Sequence, residues 1–242
     1  MQEYSNIEVF ETEEALNKGI AELIIATAAK AIALRNRFVL CLSGGNTPQK
    51  LYELLATELY RTQIDWQKTF VFWGDERCVP ATDSRNNAYM AKTTLLNKVD
   101  IPSANIYAIE SELSPDNAAH AYELKLRDFF ENGPPRFDLI LLGLGEDGHT
   151  ASLLPNTPVL NETHHLATEV YHEQQKTFRV TLTLPAINAG RIIVFFISGP
   201  GKAAILKTLV QHGVEEAIPA QLVQPVSGQV FIYADSRAAS LL

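Results

Sequence analysis

Short apolar runs rich in Val, Ile and Phe alternate along this chain with longer stretches of helical period, and that alternation restricts its fold more than any other feature. Strands that read as continuous apolar runs are buried on both faces, so helices must cover them from both sides in a mostly parallel sheet. The clearest runs are Phe38–Leu42, Thr69–Trp73, the run that begins at Phe137, and residues 191–198. Residues 7–10, 106–109, 166–170, 179–184 and 230–233 read as shorter strands, the last of them closing the sheet before a short terminal helix. Helices are expected over 13–34, 49–60, from the polar loop at 82–87 to about 96, over 115–130, and from Lys202 to about 211. Thr12 is suited to an N-cap, and Pro48 and Pro115 to first helical positions.

No internal repeat, low-complexity segment or linker-like shift in composition interrupts the 242 residues, so one domain over 1–242 is the economical reading. A formal charge of −8 argues against a nucleic-acid surface, which needs clustered Lys and Arg. Residues 1–8 are acidic rather than basic and then apolar, unlike a secretory signal. The longest apolar run, Ile192–Ile197, is too short to cross a bilayer, so no membrane association is expected. Two cysteines, Cys41 and Cys78, make no disulfide framework and read as reduced packing residues of a cytoplasmic protein.

In open parallel sheets ligands bind beyond the carboxyl ends of the strands, and four segments after candidate strands carry groups suited to an anion and a proton transfer. The run from Phe137 ends in Gly143-Leu-Gly-Glu-Asp-Gly-His149, a glycine-rich turn bearing Asp147 and His149. Histidine is the side chain most easily tuned to exchange protons near neutral pH, although a lone one is more often structural. Gly143, Gly145 and Gly148 also match a dinucleotide fingerprint, but that motif opens the first βα unit of its domain and this one falls past mid-chain. Ser43, Gly44 and Gly45 lead into a helix whose first N–H groups are a ready phosphate site. They lack the Lys-Ser/Thr of a P-loop, and a purely structural turn is an equal reading. Asp75, Glu76 and Arg77 form a charged loop beyond an aromatic strand, which solvation alone would explain. Arg179 and Lys202 are the fourth feature, since Lys202 at a helix start opposes the dipole and is better explained with an anion beside it. His164, His165 and His172 have no Cys or second carboxylate at ligand spacing, and no Gly-x-Ser-x-Gly elbow occurs, so neither a metal centre nor a serine hydrolase is indicated.

Taken in order, Leu42-Ser-Gly-Gly-Asn-Thr-Pro48, Trp73-Gly-Asp-Glu-Arg-Cys-Val-Pro80, Gly143 through Pro155, and Arg179-Val-Thr-Leu-Thr-Leu-Pro185 followed by Lys202 resemble the 6-phosphogluconolactonase family along the whole chain. The resemblance implies a Rossmann-like three-layer α/β/α fold. It also implies hydrolysis of 6-phospho-D-glucono-1,5-lactone to 6-phosphogluconate, the second step of the oxidative pentose phosphate pathway, with no cofactor and no obligatory metal. Its pattern makes His149 the base that activates water, with Asp147 orienting it, Asp75 in the catalytic loop and Arg77 assisting at the lactone end. Ser43, Gly44, Gly45, Arg179 and Lys202 become the phosphate site, and a monomer with this small molecule as its partner is expected. Asn86-Asn87-Ala88 and Leu154 depart from the commoner family residues, at positions expected to lie away from the chemistry. Glucosamine-6-phosphate deaminase is similar in fold and in its Gly-x-Asp-Gly-His loop, but that family follows the His with Phe-Asn-Glu-Pro, and this chain has Ser152-Leu-Leu-Pro155 with no carboxylate. A sugar-phosphate sensor domain of a transcription regulator would need a basic DNA-binding segment, for which the first strand near Ile7 leaves no room.

Overall fold

The computed structural model describes residues 6–211 and 217–242. Six apolar runs form a single sheet in the order β1 (Ile7–Phe10), β9 (Gln229–Asp235), β8 (Ile192–Ile197), β5 (Leu139–Leu142), β2 (Phe38–Leu42) and β3 (Thr69–Trp73). Every neighbouring pair in it is parallel. β2 and β5 are buried along their whole length, as continuous apolar strands in the middle of such a sheet must be. The strand at 230–233 is longer than expected and sits between β1 and β8, so it fills the sheet interior and the edges are β1 and β3.

The first crossover, α1 (Glu13–Arg35), starts where Thr12 Oγ1 accepts the Ala15 N–H at 3.1 Å, and it stops at Asn36, left-handed at φ 54°. Gly45 is the N-cap of α2 (Asn46–Leu55), which leaves Pro48 as its third residue instead of its first. The expected helix over 49–60 breaks because the Thr57 hydroxyl donates to the Leu54 carbonyl at 2.7 Å, and a short α3 (Glu58–Arg61) follows. α4 (Asn87–Thr94) and α5 (Pro115–Phe129) lie between β3 and β5, α5 with Pro115 at its start as expected. α7 (Ala203–Val210) follows β8 after a short 3₁₀ turn, Pro200–Lys202.

Further expectations fail. Residues 106–109 form no strand: Ile106 makes one isolated bridge to Val71, and the apolar demand is met by Tyr107 stacking on Phe72 at 4.5 Å. The carboxyl end after β9 is a series of turns, not a helix. The charged segment Asp75–Arg77 is β4, a strand, and not a solvated loop. It pairs antiparallel with β7 (Thr177–Leu182), which pairs antiparallel with β6 (Ala167–His172), in a separate three-stranded sheet. Leu184, expected at the end of that strand, opens α6 (Leu184–Asn188) instead. Among the described residues one continuous cluster of buried side chains joins both sheets and the helices.

Candidate active site

β2 and β5 are neighbours where the chain order reverses, with β3 outside β2 and β8 and β9 beyond β5. The loops that leave such a switch point diverge and open a crevice. A cleft of about 620 Å³ lies there, and every predicted site residue except Gly45 lines it: Ser43, Gly44, Asp75, Arg77, Asp147, His149, Arg179 and Lys202. Gly45 stands behind the lining with φ 107°, turning the chain into α2.

The strand ends beneath the cleft are pinned in the same way twice. Tyr52 Oη donates to the Ser43 carbonyl at 2.7 Å and accepts the Ser43 N–H at 3.1 Å. Tyr122 Oη does the same for Trp73, at 2.7 and 2.9 Å. Both backbones are thus satisfied where they leave the sheet, which fixes the corners that carry Ser43 and Asp75. At β9, Asp235 accepts the Ser198 hydroxyl at 2.8 Å and the Gly199 N–H at 3.0 Å, holding the turn that launches Lys202.

The turn after β5 is closed on itself. Gly145 N–H donates to the His149 carbonyl at 2.8 Å, Gly148 N–H to the Gly145 carbonyl at 3.0 Å, and the Thr150 hydroxyl to the Gly143 carbonyl at 2.9 Å. Gly148 has φ 82°, and a Cβ there would come within 2.6 Å of Ile218. This geometry sets His149 Nδ1 2.5 Å from Asp147 Oδ1. Partial burial pushes the Asp147 carboxyl up, but the charge of His149 and the hydrogen bonds from its backbone and ring outweigh it and hold the group below its ordinary value. An ionised carboxylate only accepts, so Nδ1 carries a proton, and Nε2 is the ring nitrogen that can act as a base.

Arg77 and Arg179 face each other as Cα partners across β4 and β7. Like charges directly opposite are destabilising, and here each guanidinium has a buried Nε with no partner. Arg179 is 3% exposed; burial pulls it below its ordinary pKa, partly offset by Asp75. Its Nη1 donates to Ser152 Oγ at 3.1 Å, and Ser152 in turn donates to Asp75 Oδ2 at 2.6 Å. Asp75 also lies 3.5 Å from Arg179 Nη1 and accepts from Asn87 Nδ2 at 3.3 Å, so its carboxylate is spent on positioning neighbours. The Lys202 backbone N–H donates to the Gly199 carbonyl at 3.1 Å, while its ammonium has neither a hydrogen bond nor an ion pair among the described residues. The cluster therefore holds three cations with unused donors around one cleft, the electrostatics of an anion site.

Asn87, Ser152, His172 and Gln175 belong to the site without having been singled out as functional. Asn87 was expected to lie away from the chemistry, and that is corrected: it lines the cleft, and its amide fills the space a side chain at Gly44 would occupy. Asn87 comes to the site only through long-range packing, and its spacing carries no signal, whereas Ser152 lies within the segment from Gly143 to Pro155 that carries the family resemblance. His165 is outside the cleft, 2.7 Å from Glu123. Cys41 is buried and its thiol pushed far up, and burial lifts Cys78 to about 11, so both are poor nucleophiles. No group of three or more His, Cys, Asp or Glu is arranged to hold a metal ion among the described residues.

Fold and site together define a doubly wound α/β protein with a His–Asp pair and a cluster of cations at its topological switch point. The chain belongs to the glucosamine-6-phosphate isomerases/6-phosphogluconolactonase family, which it matches over residues 11–232. It is 39% identical over 241 residues to a 6-phosphogluconolactonase of Synechocystis sp., covering 98% of each chain. With that of Homo sapiens it shares 37% identity over 247 residues, covering 98% of this chain and 93% of the human one. The solved 6-phosphogluconolactonase from Trypanosoma cruzi superposes with a TM-score of 0.89 at 27% identity, covering 100% of this chain and 98% of the other.

Proposed function

We propose that this chain hydrolyses 6-phospho-D-glucono-1,5-lactone to 6-phosphogluconate with His149 as general base. The observation that carries the reading is the 2.5 Å pairing of His149 Nδ1 with Asp147, which leaves Nε2 free to take a proton. A δ-lactone is an activated ester, so a base, a held water and stabilisation of the developing oxyanion suffice. Water loses a proton to Nε2 and adds to C1, giving a tetrahedral oxyanion. It collapses by breaking the bond from C1 to the ring oxygen, which takes the proton back from the imidazolium. The product is an open-chain acid with its phosphate untouched.

The phosphate is remote from the reacting carbon, and its binding energy orients the lactone. Ser43 and Gly44 at the start of α2, with Gly45 shaping the turn, Arg179 and Lys202 hold it in this reading. Because Arg77 stands in register with Arg179, we assign Arg77 to the same phosphate, not to the lactone carbonyl. Asp75 acts by positioning Arg179. No metal enters the reaction.

We also take the chain to act as one domain over 1–242, as a monomer, in the cytoplasm, and without nucleic acid. No helix among the described residues is long and apolar enough to cross a membrane. The test is an assay of purified protein on freshly generated 6-phosphogluconolactone, with glucosamine 6-phosphate as control. Lactone loss well above spontaneous hydrolysis, with the amino sugar untouched, is expected. Turnover of the amino sugar alone would overturn the reading in favour of a deaminase.

A further inference from the structure

The turn between β6 and β7, residues 173–176, forms one wall of the cleft. It is tight: Lys176 N–H donates to the Glu173 carbonyl at 3.3 Å, and Lys176 is left-handed at φ 48°. Gln175 in this turn makes two contacts that point in different directions. Its side-chain Oε1 accepts Arg179 Nη2 at 2.6 Å, while its backbone N–H donates to His172 Nδ1 at 3.3 Å. A backbone N–H only donates, so His172 Nδ1 must be unprotonated, and the neutral ring carries its hydrogen on Nε2. That Nε2 has no partner among the described residues. The ring lines the cleft, is 7% exposed, and meets the ring of His149 edge-on, with centroids 6.4 Å apart at 86°. Burial and then the charges of Arg179 and His149 pull His172 below its ordinary pKa, with Asp147 and a hydrogen bond to its own backbone opposing, so the neutral form is favoured.

We infer that the β6–β7 turn is a specificity element of the cleft: Gln175 positions the Arg179 guanidinium for the phosphate, and His172 is a neutral Nε2–H donor to a sugar oxygen beside the base. The inference rests on the lactonase reading. It adds a role for two residues that neither the catalytic pair nor the cation cluster requires. Uncharged donors at that end suit the hydroxyls and ring oxygen of a sugar, since a second cation against His149 would raise the cost of forming its imidazolium. The phosphate and the reacting end are then read by the turn and by the strand end that leads into it.

The two roles separate in kinetics. Gln175 is exposed, so Gln175→Ala should fold normally and keep its backbone bond to His172. It is expected to raise KM for 6-phosphogluconolactone about fivefold with kcat little changed, the scale of one lost hydrogen bond. The loss should be about fivefold greater on the phosphorylated lactone than on unphosphorylated gluconolactone. His172→Phe should lower kcat/KM on both lactones by a similar factor, about tenfold, and His172→Gln, which restores an N–H donor, should recover most of it. Equal losses on both lactones in Gln175→Ala, or no recovery in His172→Gln of normal thermal stability, would overturn the inference. So would a His172→Gln variant as inactive as His149→Ala, because His172 would then be the base. A parent protein without lactonase activity would instead overturn the function, which keeps the two failures apart.

Discussion

Gly145→Ala offers a local test of the catalytic pair. The backbone of Gly145 is outside the left-handed region, so alanine adopts it without strain, and any effect must come from the added methyl. That methyl would overlap His149 Nδ1 and Cε1 outright and come within 2.7 Å of Asp147 Oδ1. The imidazole, whose side chain is 26% exposed, has room to swing outward, and must retreat by about 1 Å. A displacement of about 1 Å from a reactive geometry costs on the order of 10²-fold, or about 2.7 kcal/mol of transition-state stabilisation. Stability should change by less than about 1 kcal/mol, because the clash is relieved at the surface while alanine narrows the unfolded ensemble. Gly143→Ala is the matched control in the same loop. Its methyl finds its nearest neighbour, Ser43 Oγ, at 4.0 Å, and activity should fall by no more than about twofold. The assay is initial rates on fresh 6-phosphogluconolactone, corrected for spontaneous hydrolysis, beside thermal melting. Parental kcat in a folded Gly145→Ala protein would refute the reasoning, since the ring could then move without consequence.

Arg179→Met should raise KM for the phosphorylated lactone by more than about tenfold, while unphosphorylated gluconolactone is hydrolysed about equally poorly by variant and parent; equal losses on both would remove Arg179 from the phosphate. Burial lifts Glu76 from an ordinary 4.5 to about 7 against three backbone N–H donors, from Asn87, Ala88 and Arg77. Because the folded value is the higher one, its contribution to stability is fully present below pH 4.5 and is lost as pH rises through about 7. Urea midpoints of the parent should therefore fall across that window more steeply than those of Glu76→Gln, and identical slopes would contradict the assignment. Exhaustive chelation should leave the lactonase rate unchanged, whereas a loss reversed by Zn²⁺ would make His149 a ligand.

The central strands were legible because β2 and β8 are unbroken apolar runs bounded by turn residues, which few structures other than a buried strand accommodate. Strand order was not, because nothing local to 230–233 says that it lies between β1 and β8. β4 was missed because Asp75, Glu76 and Arg77 have the composition of a loop. Its strand character comes from pairing with β7 and from the buried partners that Asp75 and Glu76 find. That Asp147 and His149 share one turn beyond a buried strand was legible, since the turn at 143–149 carries its geometry in adjacent glycines. Arg179 and Lys202 were reachable as cations at the ends of expected elements, although Arg179 lies inside β7. Gln175 was invisible for a physical reason: its role arises when the hairpin turn folds over the cleft to meet Arg179 and His172, and a glutamine in a polar turn has no pattern of its own.

The most direct measurement is the turnover of fresh 6-phosphogluconolactone by the parent and by His149→Ala, read side by side above the spontaneous rate. If His149 is the base, kcat falls by on the order of 10²-fold or more while substrate binding is largely kept. A folded His149→Ala protein that turns over at close to the parental rate would contradict the account.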